Sequence, residues 1–208
     1  MSRQAVPSHV PSGQPKIAFV FDFPSTDEQR LGQIMVGSTG KMFHKMCEIL
    51  DVDVENCLLT YALAQKPAQE NPAHFFLNKK SYQSSIKEKK WRSKYPVNEL
   101  NACNPNISIA MGSLALWALT GLDKIGTYRG TILRSNLTGE TKVLPTFSPS
   151  AVVRNYDFRP IVLADIKKAL QESETPDIKI KERELWIEPT LEDLEKFEAD
   201  YIRINNED

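Results

Sequence analysis

The sequence predicts an α/β fold: three α/β/α layers around a central, mostly parallel four-stranded sheet, followed by a C-terminal strand–helix extension. Three observations predict it. Short runs that are apolar or nearly so throughout, Ile17–Phe21, Cys57–Leu63 and Ile107–Met111, alternate with segments whose apolar residues recur at helical spacing. Such strands, buried on both faces between helices, mark a parallel sheet. The chain has 208 residues, enough for one domain with an appendage. The charge changes sign near residue 172: up to Gln171 there are 21 Lys and Arg against 14 Asp and Glu, a balance of +7, and from Glu172 onward 5 against 13, a balance of −8. The division expected is a flexible lead-in (1–15), an α/β domain (16–171) and an acidic extension (172–208).

Each element has its own signal. Residues 1–15 carry Pro7, Pro11, Pro15, Gly13 and three Ser, too little apolar area to order themselves. Ile17–Phe21 reads as a buried strand ending in the turn chemistry of Asp22–Asp27. Met42, Phe43, Met46, Ile49 and Leu50 lie at helical spacing, and Ser38 or Thr39 is the expected N-cap of that helix. Cys57–Leu63 is a second strand and Ile107–Met111 a third. The third is followed at once by Gly112 and a helix through Leu119, closed by Gly121. Thr131–Arg134 and Lys142–Leu144 flank a polar turn and read as a hairpin or two strands. Ser148 caps a short helix with Pro149 in its first position, and Pro160–Leu170 is a further helix. Beyond the polar linker Gln171–Asp177, Ile178–Ile187 reads as a strand. Thr190–Tyr201 reads as an amphipathic helix with Thr190 as cap and Asp193 in the capping-box place.

Composition excludes several classes. Hydrophobic residues make up 41% and charged residues 25%, the proportions of a globular protein and neither disordered, collagenous nor coiled-coil. The apolar runs are too short to span a bilayer. Three cysteines, Cys47, Cys57 and Cys103, make no disulfide framework and lack the close spacing of a zinc site. Free thiols and the absence of a signal sequence suit the cytoplasm. A basic body with an acidic tail suits a body that meets a polyanion and a tail that meets something else, or simply two solvated surfaces of opposite sign.

In a parallel sheet the ligand lies beyond the C-terminal strand ends. Three loops fall there: Asp22–Thr39, Ala64–His74 and Thr146–Arg154. Gly37-Ser-Thr-Gly-Lys41 invites a phosphate-loop reading but fails it, because Ser38 follows Gly37 where the pattern requires Lys. A glycine-rich helix start remains, either a plain cap or a DNA-phosphate contact. The helix opened by Ser148 and Pro149, with Arg154, is open in the same way between phosphate contact and plain helix start. Lys79–Lys94 sets six further cations, Lys80, Lys87, Lys89, Lys90, Arg92 and Lys94, among Tyr82, Trp91 and Tyr95. Cations that follow a backbone and rings that stack on bases are the tools of single-strand binding; a solvated charge run is the other reading.

The order of these motifs resembles the uracil-DNA glycosylase superfamily, most closely its family-four branch. The resemblance runs through Phe21-Asp22-Phe23-Pro24-Ser25-Thr26-Asp27-Glu28, then Gly32 through Met35-Val36-Gly37 to Gly40. It continues with Thr60-Tyr61, Gln65-Lys66-Pro67, Met111-Gly112, Arg129-Gly130 and Ser148-Pro149-Ser150 with Arg154. It covers about residues 16–170. It implies that Asp22 stands for the catalytic carboxylate, and that Phe23, Met35 and Tyr61 shape the base pocket. It further implies that Pro24, Ser25, Ser38, Thr39, Lys41, Lys66, Arg129, Ser148, Ser150 and Arg154 hold DNA; Lys89, Lys90, Trp91 and Arg92 join them from the basic segment.

The departures from that family carry as much information. Asp22 replaces Glu, Met35 the ring that stacks on uracil, Tyr61 the Asn that reads uracil's edge, and Ser148 the His. Of four cluster-binding cysteines only Cys103 has a counterpart, and Gln65 replaces another, so no iron–sulfur cluster and no metal are expected. Losing one acid or base typically costs about 10²–10⁴ in rate. The expectation is a DNA-binding glycosylase-fold module of phage DNA replication without glycosylase activity. The alternatives are an active glycosylase of altered specificity using Asp22, and a protein-interaction module that does not bind DNA. Arg183–Phe197 resembles the segment before the exonuclease domain of certain bacteriophage DNA polymerases. Residues 172–208 are therefore expected to meet a polymerase or exonuclease, and the chain to be the front of a split polymerase or a separate accessory protein.

Overall fold

The computed structural model describes residues 5–67, 97–136, 138, 141–178 and 189–206. The expected basic segment, with Lys89, Lys90, Trp91 and Arg92, lies outside the described residues, as does nearly all of the expected strand at 178–187. The chain divides into two units, Met1–Ile178 and Lys179–Asp208.

In the first unit the strands are β1 (Ile17–Phe21), β2 (Leu58–Tyr61), β3 (Ile107–Met111), β4 (Leu133–Arg134) and β5 (Lys142–Thr146). They form one sheet in the order β2-β1-β3-β5-β4. The first four in that order are parallel, and Phe21 stands level with Tyr61 on one side and Met111 on the other. The short β4 adds an antiparallel edge, Leu133 opposite Val143: of the two readings of 131–144 the hairpin is the one formed, and its edge strand makes the sheet five-stranded where four strands were expected.

Side-chain alternation sorts the core into two clusters. Ile17, Phe19 and Phe21 of β1 share one cluster with Phe43 and Met46 of α2 (Gly37–Ile49), Val152 of α6 (Pro149–Arg154), and Val162 and Ile166 of α7 (Phe158–Glu172). Ala18 and Val20 point the other way, into a cluster with Leu100 of α3 (Val97–Cys103) and the Leu114–Leu119 run of α4 (Ser113–Thr120), against which Ile125 of the short α5 (Ile125–Tyr128) packs. Period-two alternation on the strands thus yields the three layers. Helix α4 buries every residue after Ser113, as a helix that is apolar all round must.

Three local expectations change. Residues 5–15 do not trail away: His9 exchanges two backbone hydrogen bonds with Leu59 at 2.9 and 3.0 Å, and Val6 donates to the Ala64 carbonyl at 2.9 Å. Val6 is buried, so the segment covers the free edge of β2, which would otherwise be open to foreign strands. Neither Ser38 nor Thr39 caps α2; the helix begins at Gly37 behind Val36, with no side-chain cap. The reason is the preceding turn, in which Met35 (φ 51°) and Gly37 (φ 70°) both take left-handed backbone. The loop after β1 contains α1 (Thr26–Leu31), started by a reciprocal capping box between Ser25 and Glu28.

In the second unit α8 (Leu191–Asn206) begins as expected: the Asp193 amide donates to Thr190 Oγ1 and the Thr190 amide to Asp193 Oδ2. Leu191, Leu194 and Phe197 are exposed on it. Among the described residues no helix is long and apolar enough to cross a membrane.

Candidate functional site

β1 lies between β2 and β3, with the later strands beyond β3. Chain connections therefore leave β1 and β3 toward opposite faces, and a crevice opens at their C-terminal ends. A cavity of about 530 Å³ occupies that crevice. Asp22 is the residue after β1 and Gly112 the residue after β3, so the strand register alone brings them together.

The Asp22 carboxylate acts as the N-terminal cap of α4. Its Oδ1 accepts hydrogen bonds from the amides of Leu114 (3.0 Å) and Ala115 (2.9 Å). This supplies, from 92 residues away, the cap that Gly112 has no side chain to provide. Burial pushes the Asp22 carboxyl up to about 6, against the two amides and the nearby Arg154 charge, which pull it down. Gly112 is required by this arrangement. Its φ is +124°, and a Cβ there would lie 2.2 Å from the Asp22 carboxylate.

The cavity is polar. Hydroxyls of Ser25, Thr26, Ser38, Thr39, Ser113, Ser148 and Ser150 line it, with the carboxylates of Asp22, Asp27 and Glu28 and the cations Lys66 and Arg154. Phe21, Phe23, Met35 and Met111 supply its apolar lining. Lys66 Nζ donates to Thr26 Oγ1 at 2.6 Å, and Arg154 is exposed. Ser148 Oγ accepts from the Ala151 amide at 3.3 Å and lies 3.0 Å from Ser150 Oγ, the cap expected from its sequence. Gly40 lets the Met35 wall close: a Cβ at Gly40 would stand 1.9 Å from the Met35 carbonyl oxygen.

Most of the residues singled out in the sequence therefore meet. Asp22, Phe23, Ser25, Met35, Ser38, Thr39, Lys66, Ser148, Ser150 and Arg154 share the cavity. Four stand apart. Pro24 is buried and Lys41 is exposed on α2, and neither lines the cavity. Arg129 pairs with buried Asp165, at 3.3 Å from Nε to Oδ2 and 3.2 Å from Nη2 to Oδ1, and Thr146 Oγ1 donates to the same carboxylate at 2.7 Å. Tyr61 lies in the core beneath, 2% exposed, its ring 5.9 Å from that of Phe21. Sequence reasoning missed Glu28 as a lining residue, although Ser25-x-x-Glu28 is a legible capping box.

The three cysteines do not gather at one place. Cys103 packs with the α4 side of the sheet, whereas Cys47 and Cys57 sit in the opposite core cluster. Burial pushes both of these thiols up to about 12, against the thiolate form a cluster needs.

Comparison with known proteins agrees with this geometry. The Uracil DNA glycosylase superfamily matches residues 7–172. A type-4 uracil-DNA glycosylase of Thermotoga maritima is 25% identical over 159 residues, which cover 74% of this chain and 76% of the relative. Another, of Archaeoglobus fulgidus, is 24% identical over 159 residues, covering 74% of each. The sheet order, the cavity at the ends of β1 and β3 and the motif sequence around it have one common explanation: the chain belongs to the uracil DNA glycosylase superfamily.

Proposed function

We propose that the chain grips DNA with this cavity, takes a nucleotide into it and does not excise uracil. The observation that carries the reading is the state of the two groups that base excision relies on. Excision leaves positive charge on the sugar and negative charge on the departing base, and it needs a free carboxylate and an electrophile to meet them. One oxygen of Asp22 is occupied as a helix cap. Ser148 contributes a neutral hydroxyl already engaged in capping α6. The means of holding a phosphate chain remain: hydroxyls around the rim, with Lys66 and Arg154 beside them.

On this reading abasic sites do not form on duplexes carrying uracil, hypoxanthine or 5-hydroxymethyluracil, while DNA binding weakens steeply with salt. Arg154→Ala lowers affinity roughly three- to tenfold and reduces the slope of log affinity against log salt by about one. Binding that ignores salt argues against the reading.

A second reading has one observation in its favour. Asp22 keeps some surface in the cavity, and a carboxyl near 6 is suited to acid–base work. Base release that disappears in Asp22→Asn establishes an active glycosylase of altered specificity. For the extension, α8 presents Leu191, Leu194 and Phe197 beside acidic residues, a surface suited to a protein partner. We assign that partner to a replicative polymerase or its exonuclease, in the cytoplasm of a phage-infected host, and assign no iron–sulfur cluster to the chain. Capture from infected cells with and without residues 172–208 tests the partner. Capture of partners by a chain that binds no DNA makes it an interaction module instead.

A further inference from the structure

Helix α7 buries Val162, Asp165, Ile166 and Ala169, the helical spacing of a stripe that faces a core. A carboxylate occupies one place in that stripe. Asp165 is 4% exposed, and it meets the end of β5 and the turn after α5. Its Oδ2 accepts from Thr146 Oγ1 at 2.7 Å, and Arg129 donates to its two oxygens at 3.2 and 3.3 Å. The same turn is fastened twice more: the Gly130 amide donates to the Pro145 carbonyl, and Lys168 of α7 to the Gly130 carbonyl, both at 2.8 Å. Burying an ion pair adds little net stability, and apolar residues of the same volume often do as well. Stability therefore does not explain a carboxylate in that stripe.

What the carboxylate fixes is Thr146. That residue is fully buried and joins the two sides of the cavity. Its side chain is held by Asp165. Its carbonyl accepts the Gly112 amide at 3.0 Å, and Gly112 abuts the Asp22 carboxylate. The chain continues through Phe147, stacked on Phe158 of α7 with centroids 4.4 Å apart, into Ser148, Pro149, Ser150 and Arg154 of the rim. We infer that Asp165, paired with Arg129, is a positioning residue for DNA binding: it holds the end of β5 so that the Ser148–Arg154 rim stands in a fixed place across the cavity from Asp22. Neither Asp165 nor Arg129 lines the cavity, so both act through the rim. This rests on the reading of the cavity as a DNA site.

The test uses the full chain and one fluorescent DNA duplex, titrated at several salt concentrations. Asp165→Asn removes a negative charge and releases Arg129, so on charge alone it strengthens DNA binding. Positioning gives the opposite sign: affinity roughly three- to tenfold lower, as for Arg154→Ala, and a salt slope reduced by about one although no cation is removed. The double variant Asp165→Asn/Arg154→Ala is expected to bind as weakly as the weaker single variant, because both changes break the same contacts. Thr146→Val removes only the hydroxyl bond to Asp165. It is expected to lose affinity by a smaller factor, and it carries the comparison if Asp165→Asn shows no cooperative urea transition. Wild-type or tighter binding by the folded variant, or single losses that multiply in the double variant, overturns the assignment and leaves DNA gripping intact. A wild-type chain that binds no DNA overturns both.

Discussion

Gly112→Ala is expected to cost about 4 kcal/mol or more in stability and to empty the cavity of its present shape. Two independent effects add. The backbone at φ 124° and ψ 170° lies in a region essentially closed to residues with a Cβ, at a cost of order 1–3 kcal/mol. The new methyl would also stand 2.2 Å from the Asp22 carboxylate, which must swing away and release the Leu114 and Ala115 amides. Hydrogen bonds to a charged group are worth about 1.5–3 kcal/mol each. Urea denaturation gives the loss directly. The cause is isolated by the pair with Asp22→Ala: with the carboxylate already gone the steric part of the penalty disappears, so the double variant is expected to lose less than the two single variants together. Additive losses, or a Gly112→Ala protein within about 1 kcal/mol of wild type, contradict this account of the β1–β3 junction.

Asp22→Asn is expected to act in the opposite direction at neutral pH, making the protein more stable. The folded-state carboxyl is raised to about 6 from an ordinary 3.8, so between those values the folded state holds a proton that the unfolded chain has released. Stability from this group is complete below about pH 4 and is lost as pH rises through 6. The full shift corresponds to about 3 kcal/mol at 1.36 kcal/mol per unit; contact with solvent in the cavity reduces this to about 1–2 kcal/mol. Asparagine keeps an oxygen for the two amides and never carries the charge. Melting temperature against pH is therefore expected to fall between pH 4 and pH 7 in the wild-type protein and to stay flatter in Asp22→Asn, with the curves converging at the acid end. A variant less stable than wild type at pH 7.5 would mean that the α4 N-terminus stabilises the ionised carboxylate by more than its burial disfavours it.

Much of the scaffold was legible because its signals are local. Ile17–Phe21 and Ile107–Met111 have no polar face beyond Ser108, so they read as strands buried on both sides, and both are. Ser148-Pro149 and Thr190-x-x-Asp193 announce helix starts through bonds made within four residues, and those bonds are present. The rim of the cavity was legible for a related reason. Most of its residues immediately follow strands, and strand ends in a parallel sheet must converge.

What stayed hidden depends on partners far away in the chain. Arg129 looked like a free cation for DNA and is instead the partner of Asp165, 36 residues on. Lys142 opens β5 fully buried, satisfied by the carbonyl and carboxylate of Glu172. Asp22, at the place of the family's catalytic carboxylate, is also a cap for a helix 92 residues later, which nothing near it in the chain announces.

From the sequence alone come the layer architecture, the place of the cavity and most of the residues around it, because apolar periodicity and capping chemistry act over a few residues. The tertiary structure alone decides which of those polar groups is still free to meet a ligand. A charge or hydroxyl is committed or available according to what the sheet order sets opposite it, and nothing in its own neighbourhood of the chain encodes that. Asp22 is half committed in this way, whereas Arg154 stays exposed at the cavity.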